Sequence, residues 1–460
     1  MEGALRNLIY DLPKRILLHI LYRLPQREAH ICMSVCKYWH SLLSHPSFAA
    51  RYALENTRRH LSSPQRLPCT LYFLRLDEHH KRFPLTHITL CDRFWQINMK
   101  NCRGHKKRWY RNSTRVSFDF LPAVSSPTVV NQQIYCAGSS NGLVLCYELV
   151  ISRGWFQREN PFRGYYVCNP LTRTWVAVPP GPIETTDHKA KADAIWLMGF
   201  VCDPRHNSDC VTRFKVVNVV DSAATGGSYN VEVFDSETWR WRTAMASWNP
   251  APVDMGMGRR DYIYKYKDTR VEGIEFKGNL HWPIKAGGGV ILAYDPHRGD
   301  DNDEFRLIKM PRKHILNGHF NDRHKICIGA GEGHLRYVEF VEPGCRNCRT
   351  PTWTIWRLEN YNTDGEGWIL ENKINVNIDV PFGCGARPLA IDPFDPKFVY
   401  CMVDILASNH RRAYIIFYCD MLTAHTEVLE SLEYHLASWR VVMHVLPVWP
   451  TLVPKGDLST

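Results

Sequence analysis

The chain has 460 residues, too many for one ordinary compact domain unless that domain is built from repeats. Hydrophobic residues make up 45% and charged residues 22%, a balance that excludes an intrinsically disordered chain. Lys and Arg outnumber Asp and Glu by 57 to 46, and the resulting +11 favours acidic partners or a nuclear address without bearing on fold. Sixteen Cys in a chain this long are too sparse for a disulfide scaffold. Several of them, such as Cys146, Cys168 and Cys419, sit inside apolar runs and read as buried reduced thiols. The first residues carry neither an apolar core nor a small-residue cleavage site, so no signal peptide is expected. No run approaches the roughly 18 apolar residues that span a bilayer. The expectation is an intracellular protein of the nucleus and/or cytoplasm.

Residues 8–48 hold two amphipathic stripes. Leu12, Ile16, Leu17, Ile20, Leu21 and Leu24 recur in steps of three and four, which marks one face of a helix of about three turns. Asp11 stands where a cap belongs, Pro13 falls in the first turn, and Pro25 stops the helix. A second stripe runs through Ile31, Val35, Trp39 and Leu42 with Cys36 and Leu43 beside it. Pro46 ends it, and a third, more polar helix can follow. About forty residues are marginal as an independent domain, so the apolar surface needs a partner, either the rest of this chain or another protein.

The order LPKRILLHILYRLP, then VCKYWHSLL, then HPSF resembles the F-box. In that family these helices insert into a Skp-type adaptor, which joins the protein to a cullin–RING ubiquitin ligase. The resemblance implies an adaptor contact formed or supported by Leu12, Pro13, Ile16, Leu17, Ile20, Leu21, Leu24, Pro25, Val35, Cys36, Trp39 and Leu42. Lys14 and Arg15 depart from the acidic residues common at those positions. Rim charges tune association more than affinity, so the adaptor preference rather than binding itself is affected.

Residues 56–69 mix charge, Ser and Pro without period and read as a linker. Residues 93–115 then carry eight Lys or Arg and no Asp or Glu, with Trp95, Trp109 and Tyr110 interleaved. Aromatics stack on bases and cations hold phosphates, so this stretch raises an alternative: a basic module engaging nucleic acid or an acidic protein without a ligase. A solvated loop that doubles as an import signal is the preferred reading, so neither nucleic acid nor a membrane is an expected partner.

From Ser117 a unit repeats. Each copy has an apolar strand, an Asn or Asp turn and a second strand, anchored at Asn169, Asp235, Asp295, Trp356 and Asp420. The anchors are 66, 60, 61 and 64 residues apart. Gly-containing hairpins (SSNGLVLC, KGNLHW, GEGHLRY) precede several of them, and Asn, Asp and Gly supply the positive φ of tight turns. A four-stranded sheet with two open edges and two apolar faces is not stable alone, and radial stacking into a β-propeller solves this. About 390 residues at about 60 per unit lead to an expectation of six or seven blades. The segments SSNGLVLC, YYVCNPLTRTWVAVPP, FKVVNV, VEVFDSETWRW, GNLHW and ILAYDP resemble the F-box-associated, kelch-like domain of a large plant F-box family, although the double glycine of kelch blades is absent. The expected organisation is α+β and multidomain: a helical F-box over 1–55, a linker over 56–69 and an all-β, propeller-like recognition domain over 70–460.

Chemistry-bearing motifs are scarce. Cys345 and Cys348 have the spacing of a zinc half-site but no second pair, and the acidic run at Asp300, Asp301, Asp303 and Glu304 lacks the Gly and terminal Glu of a calcium loop. There is no P-loop, HExxH, GxSxG or strand-linked GxGxxG. The expectation is a non-catalytic protein with no cofactor and no metal, acting as the substrate receptor of an SCF-type (Skp–cullin–F-box) ubiquitin ligase whose β domain holds an unknown target. Segments 181–194, 247–270 and 343–352 are candidates for the target surface, because Tyr, Met and Arg are enriched at interfaces.

Overall fold

The apolar runs that recur along the chain are strands buried on both faces, and their sheets are stacked around a ring. The computed structural model describes residues 12–24, 26–45, 47–48, 51–52, 55, 69–75, 85–89, 118, 120–122, 132–150, 162–182, 196–203, 212–221, 229–246, 270–284, 289–298, 304–311, 324–341, 352–362, 367–375, 386–406, 412–432, 436–445, 451 and 453–454.

The N-terminal unit has helices α1 (Lys14–Leu21), α2 (Gln26–Ile31) and α3 (Lys37–Leu43), with a 3₁₀ turn over Cys32–Ser34. Pro13 is the N-cap of α1 rather than part of its first turn, and its carbonyl accepts from the amides of Ile16 and Leu17 at 2.8 and 3.1 Å. The second stripe, expected as one helix, is broken at Val35–Cys36. Cys36 is fully extended (φ −162°, ψ 166°), and its Sγ caps α3 by accepting from the Trp39 amide at 3.5 Å. Residues 47–48, 51–52 and 55 are helical.

In the β domain, β1 (Cys69–Arg75) and β2 (Leu85–Thr89) pair as an antiparallel hairpin. Blade 1 holds β3 (Gln132–Ser140), β4 (Leu143–Val150), β5 (Phe162–Asn169) and β6 (Thr174–Val178). Blade 2 holds β7 (Trp196–Asp203), β8 (Arg213–Asp221), β9 (Tyr229–Asp235) and β10 (Arg240–Ala246), and β11 (Arg270–Glu272) lies parallel on its β7 edge. Blade 3 follows with β12 (Ile274–Phe276), β13 (Asn279–Ile284), β14 (Val290–Tyr294) and β15 (Arg306–Lys309). Blade 4 is β16 (His324–Gly331), β17 (His334–Val341), β18 (Thr352–Leu358) and β19 (Trp368–Asn375). Blade 5 is β20 (Arg387–Ile391), β21 (Phe398–Leu406), β22 (Arg412–Asp420) and β23 (Thr426–Leu432). The last strand, β24 (Leu436–Val445), pairs antiparallel with β1, giving a three-stranded sheet in the order β2-β1-β24.

The inner strands close the circle: β3 lies on β7, β7 on β12, β12 on β16, β16 on β20, β20 on β24, and β24 on β3. Among the described residues the ring holds five four-stranded blades and, between the last and the first, a sixth sheet of three strands, where the sequence led to an expectation of six or seven blades. The two chain ends together supply the three strands of the closing sheet.

The alternation along β14 shows why these strands read as continuous apolar runs. Val290, Leu292 and Tyr294 enter the core shared with blade 2, whereas Ile291 and Ala293 enter the core shared with blade 4. Turn chemistry repeats with the same regularity. The carboxylate or amide oxygen of Asn169, Asp235, Asp295, Asn360 and Asp420 accepts from the backbone amide two residues on, at 2.9, 2.8, 2.9, 3.0 and 2.9 Å. The fourth anchor is thus Asn360, not Trp356, which lies within β18. Asn141–Gly142 (φ 46°, 80°) and Lys277–Gly278 (φ 53°, 78°) take the paired positive φ that a two-residue hairpin demands.

Blades are also tied by polar contacts. Tyr165 of blade 1 donates its hydroxyl to Asn218 Oδ1 of blade 2 at 3.0 Å. Tyr361, after β18, meets His281 Nε2 of blade 3 through its hydroxyl at 2.7 Å, and Arg306 donates to its carbonyl. Burial, and next the nearby Arg306 charge, lower the His281 pKa to about 4. An unfolded histidine titrates near 6.5, so the unfolded chain binds a proton that the folded chain refuses. The stability this represents is fully present above about pH 6.5 and is lost as pH falls towards 4, about 3 kcal/mol in all. Urea unfolding of wild type and His281→Gln at pH 7 and pH 4.5 checks this: the acid loss is expected to shrink in the variant, and an equal loss in both contradicts it.

Candidate functional site

The helical unit has a core of its own. Leu17, Leu21, Ala29, Leu43, Phe48 and Tyr52 are buried together, with Leu18, Tyr22, Leu24, Cys32, Met33, Trp39 and Leu42 packed around them. Tyr22 stacks on Phe48 with centroids 4.8 Å apart, and Tyr52 donates its hydroxyl to the Leu24 carbonyl at 2.6 Å. The segment expected to be polar therefore supplies two of the six buried side chains.

That core divides the twelve residues assigned from the sequence. Leu17 and Leu21 are wholly enclosed, and Leu24, Trp39 and Leu42 are partly buried against the same cluster. Leu12 and Cys36 are half-buried, Pro13 is exposed, and Pro25 lies outside the described residues. Ile16, Ile20 and Val35 face outward, at 48, 44 and 54% exposure. Two outward side chains were not among the twelve: Ile31 at 55% and Tyr38 at 50%. Ile31 was visible as a member of the second stripe. Tyr38 carries no periodic signal of an unbroken helix, because the break at Cys36 resets the faces.

Ten large hydrophobic side chains are exposed among the described residues, and five of them fall between Ile16 and Tyr38. The other five, Trp175, Met245, Ile369, Leu370 and Leu422, are spread over four blades, the scatter that any folded surface shows. Among the described residues, outward Ile, Val and Tyr side chains are thus concentrated over the buried helical core. Lys14 and Arg15 are both exposed beside it, where charge acts on encounter.

The other sequence candidates contribute less. Segments 183–194, 247–269 and 343–351, the basic stretch 93–115 and the Cys345–Cys348 pair lie outside the described residues, as do Asp300, Asp301 and Asp303. Among the described residues no helix is long and apolar enough to cross a membrane.

A short helical unit with an outward apolar face, followed by an all-β ring of blades, is the arrangement expected of an F-box protein with a β-propeller. Comparison with known families agrees: residues 9–55 match the F-box-like family, and residues 105–438 match the family described as F-box protein At3g26010-like, beta-propeller. The chain belongs to this At3g26010-like F-box β-propeller family. It is similar to F-box protein At3g26010 of Arabidopsis thaliana, 25% identical over 417 residues that cover 88% of this chain and 77% of the relative. F-box protein At5g49610 of the same plant is 24% identical over 371 residues, covering 79% of each chain. Among solved structures, TolB from Acinetobacter baumannii aligns with a TM-score of 0.38 and 9% identity over 86% of this chain and 72% of TolB, a likeness too slight to argue from.

Proposed function

We propose that this protein is the substrate receptor of an SCF-type ubiquitin ligase. In this reading residues 1–55 dock a Skp-type adaptor, and through it a cullin and a RING protein, while residues 70–460 hold a target protein. The observation that carries the reading is the outward set Ile16, Ile20, Ile31, Val35 and Tyr38 over a helical core that is complete without them. The chain itself performs no chemistry and needs no cofactor. It raises the effective concentration of a target beside a charged ubiquitin-conjugating enzyme, so the rate gain comes from proximity. Of the twelve assigned residues, Ile16, Ile20 and Val35 make the contact, and Leu17, Leu21, Leu24, Trp39 and Leu42 hold them in place. The complex works in the nucleus and/or cytoplasm.

The test is affinity purification with mass spectrometry of the full chain beside one lacking residues 1–50. Loss of adaptor and cullin from the truncated sample, with other partners retained, is the expected result. Retention of the adaptor by the truncated chain overturns the assignment.

A further inference from the structure

Blade 1 carries a row of three thiols that the receptor role does not use. Cys136, Cys146 and Cys168 lie on the successive strands β3, β4 and β5, and all three are free. Cys136 and Cys146 are directly opposed Cα partners in the β3–β4 ladder, at a bulge where the register shifts between Cys136 and Gly138. Cys146 Sγ is 4.0 Å from Cys168 Sγ. Cys146 and Cys168 are wholly enclosed with Phe118, Leu121, Ile134 and Val144, whereas Cys136 is half-buried at the edge of that cluster. The strand that bears Cys136 lies next to β24, so the thiols sit at the seam where the two ends of the chain close the ring.

We propose that Cys136 and Cys146 form a peroxide-responsive dithiol, which hydroperoxides convert to a disulfide across β3 and β4. Directly opposed antiparallel residues have Cα atoms about 4.5 or 5.5 Å apart, both inside the roughly 4.4–6.8 Å that a disulfide spans. The half-buried Cys136 is the thiol that meets the oxidant. The Cys136 thiol passes its proton to the adjacent Cys146 thiolate as its sulfur attacks the terminal peroxide oxygen. The O–O bond breaks, and the departing alkoxide, or hydroxide from hydrogen peroxide, takes that proton from Cys146 and leaves as alcohol or water. Cys136 sulfenic acid then faces a Cys146 thiolate. The Cys146 thiolate attacks the Cys136 sulfur, the S–O bond breaks, and the departing hydroxide takes up a solvent proton, balancing the one that Cys146 lost on ionising, and leaves as water. Two electrons pass from the dithiol to the peroxide.

Cys146 is suited to the second step. Burial opposes its ionisation, but hydrogen bonds from Cys136 and Cys168 outweigh it and bring the Cys146 thiol down to about 6. Burial pushes Cys136 and Cys168 well up. Cys168 thus acts as a positioning residue, stabilising the attacking thiolate without entering the bond. A metal-binding role does not suit the trio, since among the described residues no group of three or more His, Cys, Asp or Glu side chains has the geometry to hold an ion.

The test uses the full-length protein, hydrogen peroxide, and alkylation after unfolding. No Lys or Arg lies between Val116 and Ser152, so Cys136 and Cys146 share the tryptic peptide 116–153, and Cys168 falls in another. The expected product is an unalkylated 116–153 peptide lighter by two hydrogens, restored to full alkylation by dithiothreitol. Cys136→Ser should abolish that product. Cys168→Ala should still form it but more slowly, with the pH at half-maximal rate moved upward. A purely structural Cys168 would not move the pH profile. Full alkylation of Cys136 and Cys146 after peroxide overturns the proposal, and so does a cross-link joining peptide 116–153 to the Cys168 peptide.

Discussion

Replacing Ile16, Ile20 and Val35 together by alanine is expected to weaken binding of a Skp-type adaptor by about a hundredfold while leaving the helical unit folded. Each side chain is about half exposed, so each has apolar area to lose to a partner, about 1 kcal/mol per truncation. Three such losses approach 3 kcal/mol, and every 1.4 kcal/mol is about tenfold in affinity. None of the three belongs to the buried core cluster, so helical content should be unchanged. Leu17→Ala provides the contrast. Leu17 is enclosed, and its truncation costs the unit about 2–5 kcal/mol of its own stability. A unit of this size has little to spare, so the variant should lose binding together with its circular dichroism signal. Titration calorimetry with purified adaptor, with circular dichroism on the same samples, separates the two. A triple variant that binds as tightly as wild type removes the basis for the proposed contact.

Trp282→Ala is expected to lower the stability of the propeller by about 3–5 kcal/mol, among the largest effects of any single substitution in the chain. The indole is fully buried between blades 2 and 3, and its Nε1 donates to the Met198 carbonyl at 2.9 Å. Truncation opens a cavity in the shared core and removes one of the two donors on that carbonyl, leaving the Gly273 amide at 2.7 Å. Trp282→Phe keeps most of the volume and loses the donor, so its cost should be smaller, about 1–2 kcal/mol. The same contact can be overfilled from the other side. A Cβ on Gly273 would stand 2.6 Å from Trp282 Nε1, so Gly273→Ala should cost about 1–3 kcal/mol through displacement of the ring. Urea midpoints of the three variants order them, and a Trp282→Ala midpoint equal to wild type would show that the blades do not depend on one another through this core.

Much of the propeller was legible because its signals are local. Turn anchors at Asn169, Asp235, Asp295 and Asp420 accept from amides two residues ahead, a contact that depends on nearest neighbours alone. Asn360 has the weaker signal in its unit, because Trp356 four residues before it is the more conspicuous residue. In the helical unit the stripes were legible, and their division was not. Ile16 and Leu17 are adjacent, equally apolar members of one stripe, yet one is half exposed and the other enclosed. The stripe is wide enough to serve two neighbours, and periodicity does not say which edge faces the partner.

The sequence by itself determined the two-part organisation, the family of the helical motif, the β repeat and most of its turns. These are patterns over a few residues, where backbone φ preference and side-chain period decide the outcome. Only the tertiary structure decided that the described residues form five four-stranded blades and a three-stranded closing sheet, that β24 closes the ring by pairing with β1, and that Phe48 and Tyr52 join the helical core. Each of these joins segments far apart in the chain. Cys69 opposes Val445 in that closing pair, and no local preference links two residues so distant. Their pairing is decided by which buried faces and strand edges remain unmatched once the rest of the ring has formed.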